Sequence, residues 1–354
     1  MNGADFLIVG GGVAGSVLAW TLDRRGCSVL LADAPHLPSA SGVAAGIVNP
    51  LTGRKLVTTW KADALFPFLT QFYTGIEAEL GVRFFHPNTI YRPFRSPTER
   101  ADYVRFATDP GVARYVTDVT DTARYAPYLN DSFGGLSVGP AGWLDLSEFV
   151  RVIKGYFIRK NQYYEGHVAA DDLLVSPDAV GWRDFRIGTV IFCDGTQGRD
   201  NRFFSYLPYN PVKGQILTAV VEDYAVPQIV NQGVFILPLR PGLIRIGATY
   251  TWHDLVWQTT DDGRQFLEKK VADLLRVPYR VVAQQAGIRP STKDRRPFVG
   301  RHPEHANVGI FGGMGTKGVS LAPFLADGFA RHLLDGEDLD PEVNISRYVS
   351  LYDT

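Results

Sequence analysis

The run DFLIVGGGVAGSVLAW, residues 5–20, constrains the fold of this chain more than any other stretch. Asp5 to Val9 is a short, β-branched apolar segment suited to a buried parallel strand, and Gly10, Gly12 and Gly15 follow it in GxGxxG spacing. With 36 glycines in 354 residues the spacing alone says little. It gains meaning between a strand and a helix, with an acidic residue about 20 positions on. Val13 to Arg25 carries Val13, Val17, Leu18 and Leu22 at helical spacing and stops at Gly26. Ser28 to Asp33 reads as a second strand, and Asp33 lies 18 residues beyond Gly15. Such a βαβ unit brings backbone against a pyrophosphate, turns a helix N-terminus toward its charge and offers Asp33 to ribose hydroxyls.

The length allows two domains around a substantial core. A formal net charge of −1 gives no electrostatic case for a nucleic-acid partner or an anionic membrane surface. Cys27 and Cys193 form no CxxC pair and no disulfide framework, so both are expected to be reduced core residues in a cytoplasmic protein. The amino-terminal apolar run has no basic flank, carries Asp5 and is broken by glycines, which argues against a signal peptide. No uninterrupted apolar stretch reaches membrane-spanning length. The seven histidines show no HExxH or similar spacing, so no metal is expected.

Further along, Ser39 to Gly46 is a small-residue loop and Ala62 to Leu80 reads as a helix. Phe84 to Phe94 is strand-like, and helices are expected at Thr98–Phe106 and Leu146–Lys160. Apolar runs follow at His167–Val175 and Ile187–Phe192. Beyond Pro211 the chain is β-rich, with strands expected at Gly214–Val221, Gly233–Leu239 and Leu243–Thr249 and a helix at Gly263–Leu275. The end returns to α/β character with Val308–Gly312 and a helix from Val319 to Leu334. This order predicts a discontinuous α/β nucleotide domain interrupted by a largely antiparallel substrate domain.

Several separated stretches, in order, resemble the D-amino-acid oxidase-like flavoproteins, the group that includes glycine oxidase and sarcosine oxidase. They are GGGVAG with Asp33; SASGVAAG; PVKGQIL (211–217); FILPLRPGLIRIGAT (235–249); and AGIRPSTKDRRPFVG (286–300), continuing into GGMGTKGVSLAP (312–323). The stretches AAGIVNP (44–50) and GGLSVGPAGWLDLSEFV (134–150) look most similar to the oxidase half of the bifunctional bacterial enzyme that modifies wobble uridine in tRNA. Its methyltransferase half has no match in this sequence, so the resemblance supports flavin chemistry on an amine more firmly than a tRNA substrate. The fold it implies is a Rossmann-like FAD-binding domain of the GR2 type, at 1–83, 141–210 and 286–354. An inserted, largely antiparallel β-sheet substrate domain takes 84–140 and 211–285.

The resemblance implies FAD held without a covalent bond, since SASGVAAG lacks histidine and neither cysteine lies near the final loop. Gly10, Gly12, Val13, Ala14 and Gly15 match the pyrophosphate turn, with Asp33 and Ala34 at the adenosine ribose. Ser41, Gly42, Ala45 and Gly46 match the second loop. Val168 matches a family strand whose backbone meets the adenine, and Asp194 and Gly195 a closing turn, where CDGTQG departs from the usual AAG. Gly313, Met314, Gly315, Thr316, Lys317 and Gly318 match the loop against the isoalloxazine.

Arg289, Thr316 and Lys317 are the candidate catalytic residues. Arg289, also placed beside the cofactor, sits in GIRP, where related oxidases pair an arginine with the substrate carboxylate; its alternative is a structural ion pair with Asp294 or a nearby acid. Thr316 replaces a second arginine of glycine oxidase, and Phe235 replaces a pocket tyrosine. Lys317 offers charge near the flavin, or else is a solvated loop lysine. Amides at the start of the helix after Gly318 suit the negative charge that grows on a reducing flavin. Arg54 and Lys55 read as a surface basic pair, and Trp60, Tyr91, Phe94 and Trp252 as core or pocket aromatics. The reading that follows is oxidation of a C–N bond of an amino acid or secondary amine, with oxygen or another electron acceptor. A tRNA-linked amine and a non-catalytic flavin protein are the alternatives.

Overall fold

The computed structural model describes residues 2–352. Four strands, Asn2–Val9, Val29–Asp33, Phe185–Phe192 and Val308–Gly312, run parallel at the centre of an eight-stranded sheet. Tyr163–Glu165 extends it in parallel beyond Val29–Asp33, and Phe298–Arg301 and the hairpin Val180–Trp182 add antiparallel neighbours. The central strands are continuous apolar runs because both faces are covered. Leu7, Ile8, Val190, Ile191 and Ile310 have no exposed surface.

The helices on one face follow their sequence signals. Val13–Arg24 buries Val17, Leu18 and Leu22 and is followed by Gly26 at φ +87°. Ala62–Leu80 ends at Gly81 in the left-handed region, a conformation cheap only for glycine. Asp145 caps Leu146–Arg159 by accepting from the Glu148 amide at 3.1 Å. Gly318–Asp335 packs against both Val13–Arg24 and Ala62–Leu80.

The second sheet has nine strands. Its order from one edge is Tyr279–Arg289, Val212–Val221, Leu243–Gly247, Phe235–Arg240, Ile229–Asn231, Phe85–Pro93, Gly135–Leu144 and Ile47–Val48, with Val116–Thr120 also on Gly135–Leu144. All pairings are antiparallel except Ile229–Asn231 with Phe85–Pro93. The helix Asp261–Ala272 covers one face, burying Leu267 and Val271.

The observed elements depart from the sequence reading at three places. Within the apolar run His167–Val175 only Leu174–Val175 is strand, paired with Val180–Trp182. Tyr163–Glu165 ends at Gly166 (φ +159°), so Val168 lies in a loop, followed by a single 3-10 turn at Ala170–Asp172. The strand expected at Gly233–Leu239 starts two residues later, at Phe235, because Gly233 (φ +80°) turns the preceding strand Ile229–Asn231 back into Phe235–Arg240. The expected segment boundary between 285 and 286 falls inside Tyr279–Arg289, whose pairing with Val212–Val221 continues to Val212↔Arg289. Ile47–Val48 also joins the second sheet, through Trp143 and Gly142.

Candidate active site

The parallel strands all end on one cavity of about 590 Å³, closed on its far side by the second sheet. Gly10, Ala34, Cys193 and Gly313, each just past one of these strands, line it. Carboxyl ends of parallel strands are where open α/β sheets bind ligands, and this volume suits a sizeable one.

At one end the glycine turn leaves bare backbone. Gly10 has φ +105°, and a Cβ there would stand 2.6 Å from the Cys193 carbonyl oxygen. A Cβ on Gly11 would stand 2.6 Å from the Asp33 carboxyl carbon. Asp33 Oδ1 accepts from the Gly11 amide at 2.9 Å, and Ser41 Oγ accepts from the Val13 amide at 3.0 Å, tying the second loop to the first turn of the helix. Asp194 stands on the same wall and accepts from Asn201 Nδ2 at 3.3 Å. Burial pushes its carboxyl up to about 6.

At the other end Arg289 reaches over Gly214, where any Cβ would fall within the guanidinium. Its Nη1 and Nη2 donate to the Thr249 carbonyl at 3.3 Å, Nη1 also approaches the Lys213 carbonyl at 3.5 Å, and Tyr250 stacks on the guanidinium at 4.3 Å. Among the described residues no carboxylate lies within 4.0 Å of it. Asp294, its expected alternative partner, binds Arg347 at 3.0 Å instead, because Arg347 comes from the carboxyl-terminal turn that packs on the Pro297 segment. Burial lowers the Arg289 pKa, though a guanidinium stays charged.

Lys317 is not a solvated loop lysine. Half-buried, it donates to Thr59 Oγ1 at 3.1 Å, and burial, with Arg296 and Arg295 nearby, lowers its pKa. It is the N-cap residue of Gly318–Asp335, whose first-turn amides meet no capping side chain. Thr316 is exposed at the rim.

Of the expected site residues, the cavity brings together Gly10, Gly12, Val13, Ala14, Asp33, Ala34, Ser41, Gly42, Ala45, Gly46, Val168, Asp194, Gly195, Arg289 and 313–318. Gly15 is the exception. Its Cβ position overlaps the Gly10 carbonyl oxygen and lies 3.2 Å from Cys193 Cβ, so it permits helix and strand to touch rather than facing the cavity. Arg54 and Lys55 are exposed and away from the lining. None of the four singled-out aromatics lines the cavity: Tyr91 and Phe94 are core, Trp60 donates to Glu342 at 2.7 Å, and Trp252 is exposed. Gly11, Gly214, Tyr250 and Trp257 do line it and were missed. A glycine inside the strand pattern at 214 was the available signal, since such glycines mark close approach.

The sequence matches the family described as DAO, FAD dependent oxidoreductase, across residues 5–332. Glycine oxidase of Pseudomonas putida is 24% identical, with 95% of this chain and 96% of that protein covered. The tRNA 5-methylaminomethyl-2-thiouridine biosynthesis bifunctional protein MnmC of Maricaulis maris is 27% identical over 93% of this chain, which spans about half (52%) of its length. Among solved structures, glycine oxidase from Geobacillus kaustophilus superposes with a TM-score of 0.79 over 98% of each chain at 19% identity, a likeness of fold.

Proposed function

This chain belongs to the DAO family of FAD-dependent oxidoreductases, and from that premise we propose that it oxidises a C–N bond of an amino acid or secondary amine. The observation that carries this reading is Arg289: a guanidinium on the cavity wall with long bonds to carbonyls and no carboxylate partner among the described residues. Those three bonds leave two of the five guanidinium N–H groups to take a substrate carboxylate at two points. That grip fixes the neighbouring carbon, and the amine on it, in one place.

The residues present fit FAD. The glycine turn is a cradle that any Cβ at Gly10 or Gly11 would fill, and Asp33 stands at the end of the second strand. Gly10–Ala14 and Ser41–Gly42 would hold the pyrophosphate, Asp33 the ribose, and 313–318 the ring. Bound there, FAD supplies the acceptor for a hydride from the amine carbon. The uncapped amides of Gly318–Asp335 and the half-buried Lys317 provide a positive end where negative charge develops, without reorganisation. Ile216 and Phe235, on the cavity face of the second sheet, keep that end apolar.

Two residues able to form flavin bonds line the cavity, yet neither suits the task. The Cys193 thiol is buried and raised well above its ordinary range, so it stays protonated, and His167 is exposed in the loop beside Val168. The purified protein is therefore expected to be yellow and to release intact FAD on acid precipitation. Flavin remaining with the precipitate would show a covalent bond.

Arg289→Lys tests the reading directly. An ammonium cannot reproduce the two-point grip, and losing one charge-assisted bond of about 1.5–3 kcal/mol corresponds to roughly a 10- to 150-fold fall in kcat/KM. Bound FAD is expected to stay stoichiometric. Unchanged kinetics on the amine that bleaches the flavin would remove Arg289 from the site.

A further inference from the structure

Lys213 has no exposed surface, and its Nζ ends 2.5 Å from Asp254 Oδ2. Asp254 belongs to the segment 248–257, which leaves the strand Leu243–Gly247 and passes along the cavity mouth. The same lysine holds this segment through its backbone. Its amide donates to the Thr251 carbonyl at 2.9 Å and its carbonyl accepts from the Thr251 amide at 3.0 Å. On either side of these anchors lie Tyr250, stacked on Arg289, and Trp257, and both line the cavity. Tyr250 is 57% exposed, so a large aromatic surface is presented toward whatever enters beside the arginine.

We propose that the Lys213–Asp254 ion pair is a positioning device that fixes Trp257, which with Tyr250 forms an aromatic wall next to Arg289, and that this wall selects carboxylates bearing a bulky apolar or aromatic substituent. The inference rests on the reading of Arg289 as the carboxylate site. Its physical basis is that an ammonium withdrawn from water needs its one carboxylate partner. Asp254, the more exposed member, is thereby tied to a point inside the sheet. The Asp254 carboxyl is accordingly held below its usual range by the Lys213 ammonium. Without that tie the segment keeps its backbone bonds at Thr249 and Thr251, but the stretch from Thr251 to Thr260 that carries Trp257 loses the anchor in its middle. Gly214 and Phe235, on rigid strands, stay where they are.

The experiment titrates the FAD-loaded protein with acetate and with phenylacetate, following the flavin absorbance, and so does not depend on turnover. The wild-type protein is expected to bind phenylacetate at least about 10-fold more tightly than acetate, the scale of one aromatic contact with its buried area. Asp254→Asn is expected to erase most of that preference while acetate binding and FAD content are retained; Tyr250→Leu should reproduce the loss. Asp254→Glu, which keeps the charge, is expected to restore part of the preference, an outcome that a change in overall folding would not give. Arg289→Lys should weaken both ligands alike. Equal wild-type affinities, or a preference that survives in Asp254→Asn, would overturn the inference and leave the carboxylate site intact. No spectral response to either carboxylate would instead remove the reading of Arg289 on which it rests.

Discussion

Gly15→Ala is expected to yield protein without flavin and with reduced thermal stability, although Gly15 does not face the cavity. The added Cβ would occupy the position of the Gly10 carbonyl oxygen, a backbone atom fixed by the Gly10 amide donating to the Ala32 carbonyl at 2.8 Å. No rotamer change relieves a clash with backbone. The helix Val13–Arg24 must move off the strand Asn2–Val9, and with it the turn that forms the cradle. Overpacking of this kind costs about 1–3 kcal/mol or more. Gly12→Val should act differently. At Gly12 a Cβ meets only the movable Ser41 hydroxyl, at 3.1 Å, but the branched side chain fills the cavity beside the turn. That variant is expected to fold with near-normal thermal stability as apoprotein and still to lack FAD. Thermal melts with FAD:protein ratios separate the two, and Gly15→Ala with full flavin and an unchanged Tm would refute the packing role.

The contrast between these glycines shows where the sequence is legible. Spacing announces a βαβ unit because strand, turn and helix are set by residues a few positions apart, and for the same reason Ala62–Leu80 is found at its observed ends. Spacing does not say which glycine faces a ligand and which faces a neighbouring strand. That depends on Cys193, brought in by a strand more than 170 residues later in the chain. The site divides in the same way. Asp33 and the 313–318 loop are legible because strand ends and glycine turns are local signals. Tyr250 and Trp257 are not, because their segment looks like any polar loop with aromatics until Lys213 is placed beneath it. Asp294 looked like a partner for Arg289 only because it is close in sequence. Val168 was placed on a strand by resemblance, and Gly166 ends that strand two residues earlier.

Gly214→Ala is expected to abolish recognition of the substrate carboxylate while leaving FAD in place. Gly214 and Arg289 lie on adjacent strands of the second sheet, joined by the pairs Val212↔Arg289 and Gly214↔Gly287. The Arg289 side chain crosses that short diagonal, and its guanidinium occupies the space a side chain at 214 would need. Even a methyl group therefore displaces it. Gly214 itself has no need of an unusual backbone, so the strand can accept alanine and the penalty falls on the guanidinium rather than on folding. Arg289→Lys loses one bond, but here both arms leave their position. At about 1.5–3 kcal/mol for each of the two charge-assisted bonds, kcat/KM is expected to fall roughly 150- to 25,000-fold. The effect should appear largely as a raised KM, since the cofactor end, built from the first sheet and the 313–318 loop, is untouched. Carboxylate titrations of the flavin spectrum should show the same loss without turnover. A Gly214→Ala protein that keeps both FAD and ordinary carboxylate affinity would mean that the arginine finds its ligand from elsewhere, and the diagonal contact would be packing alone.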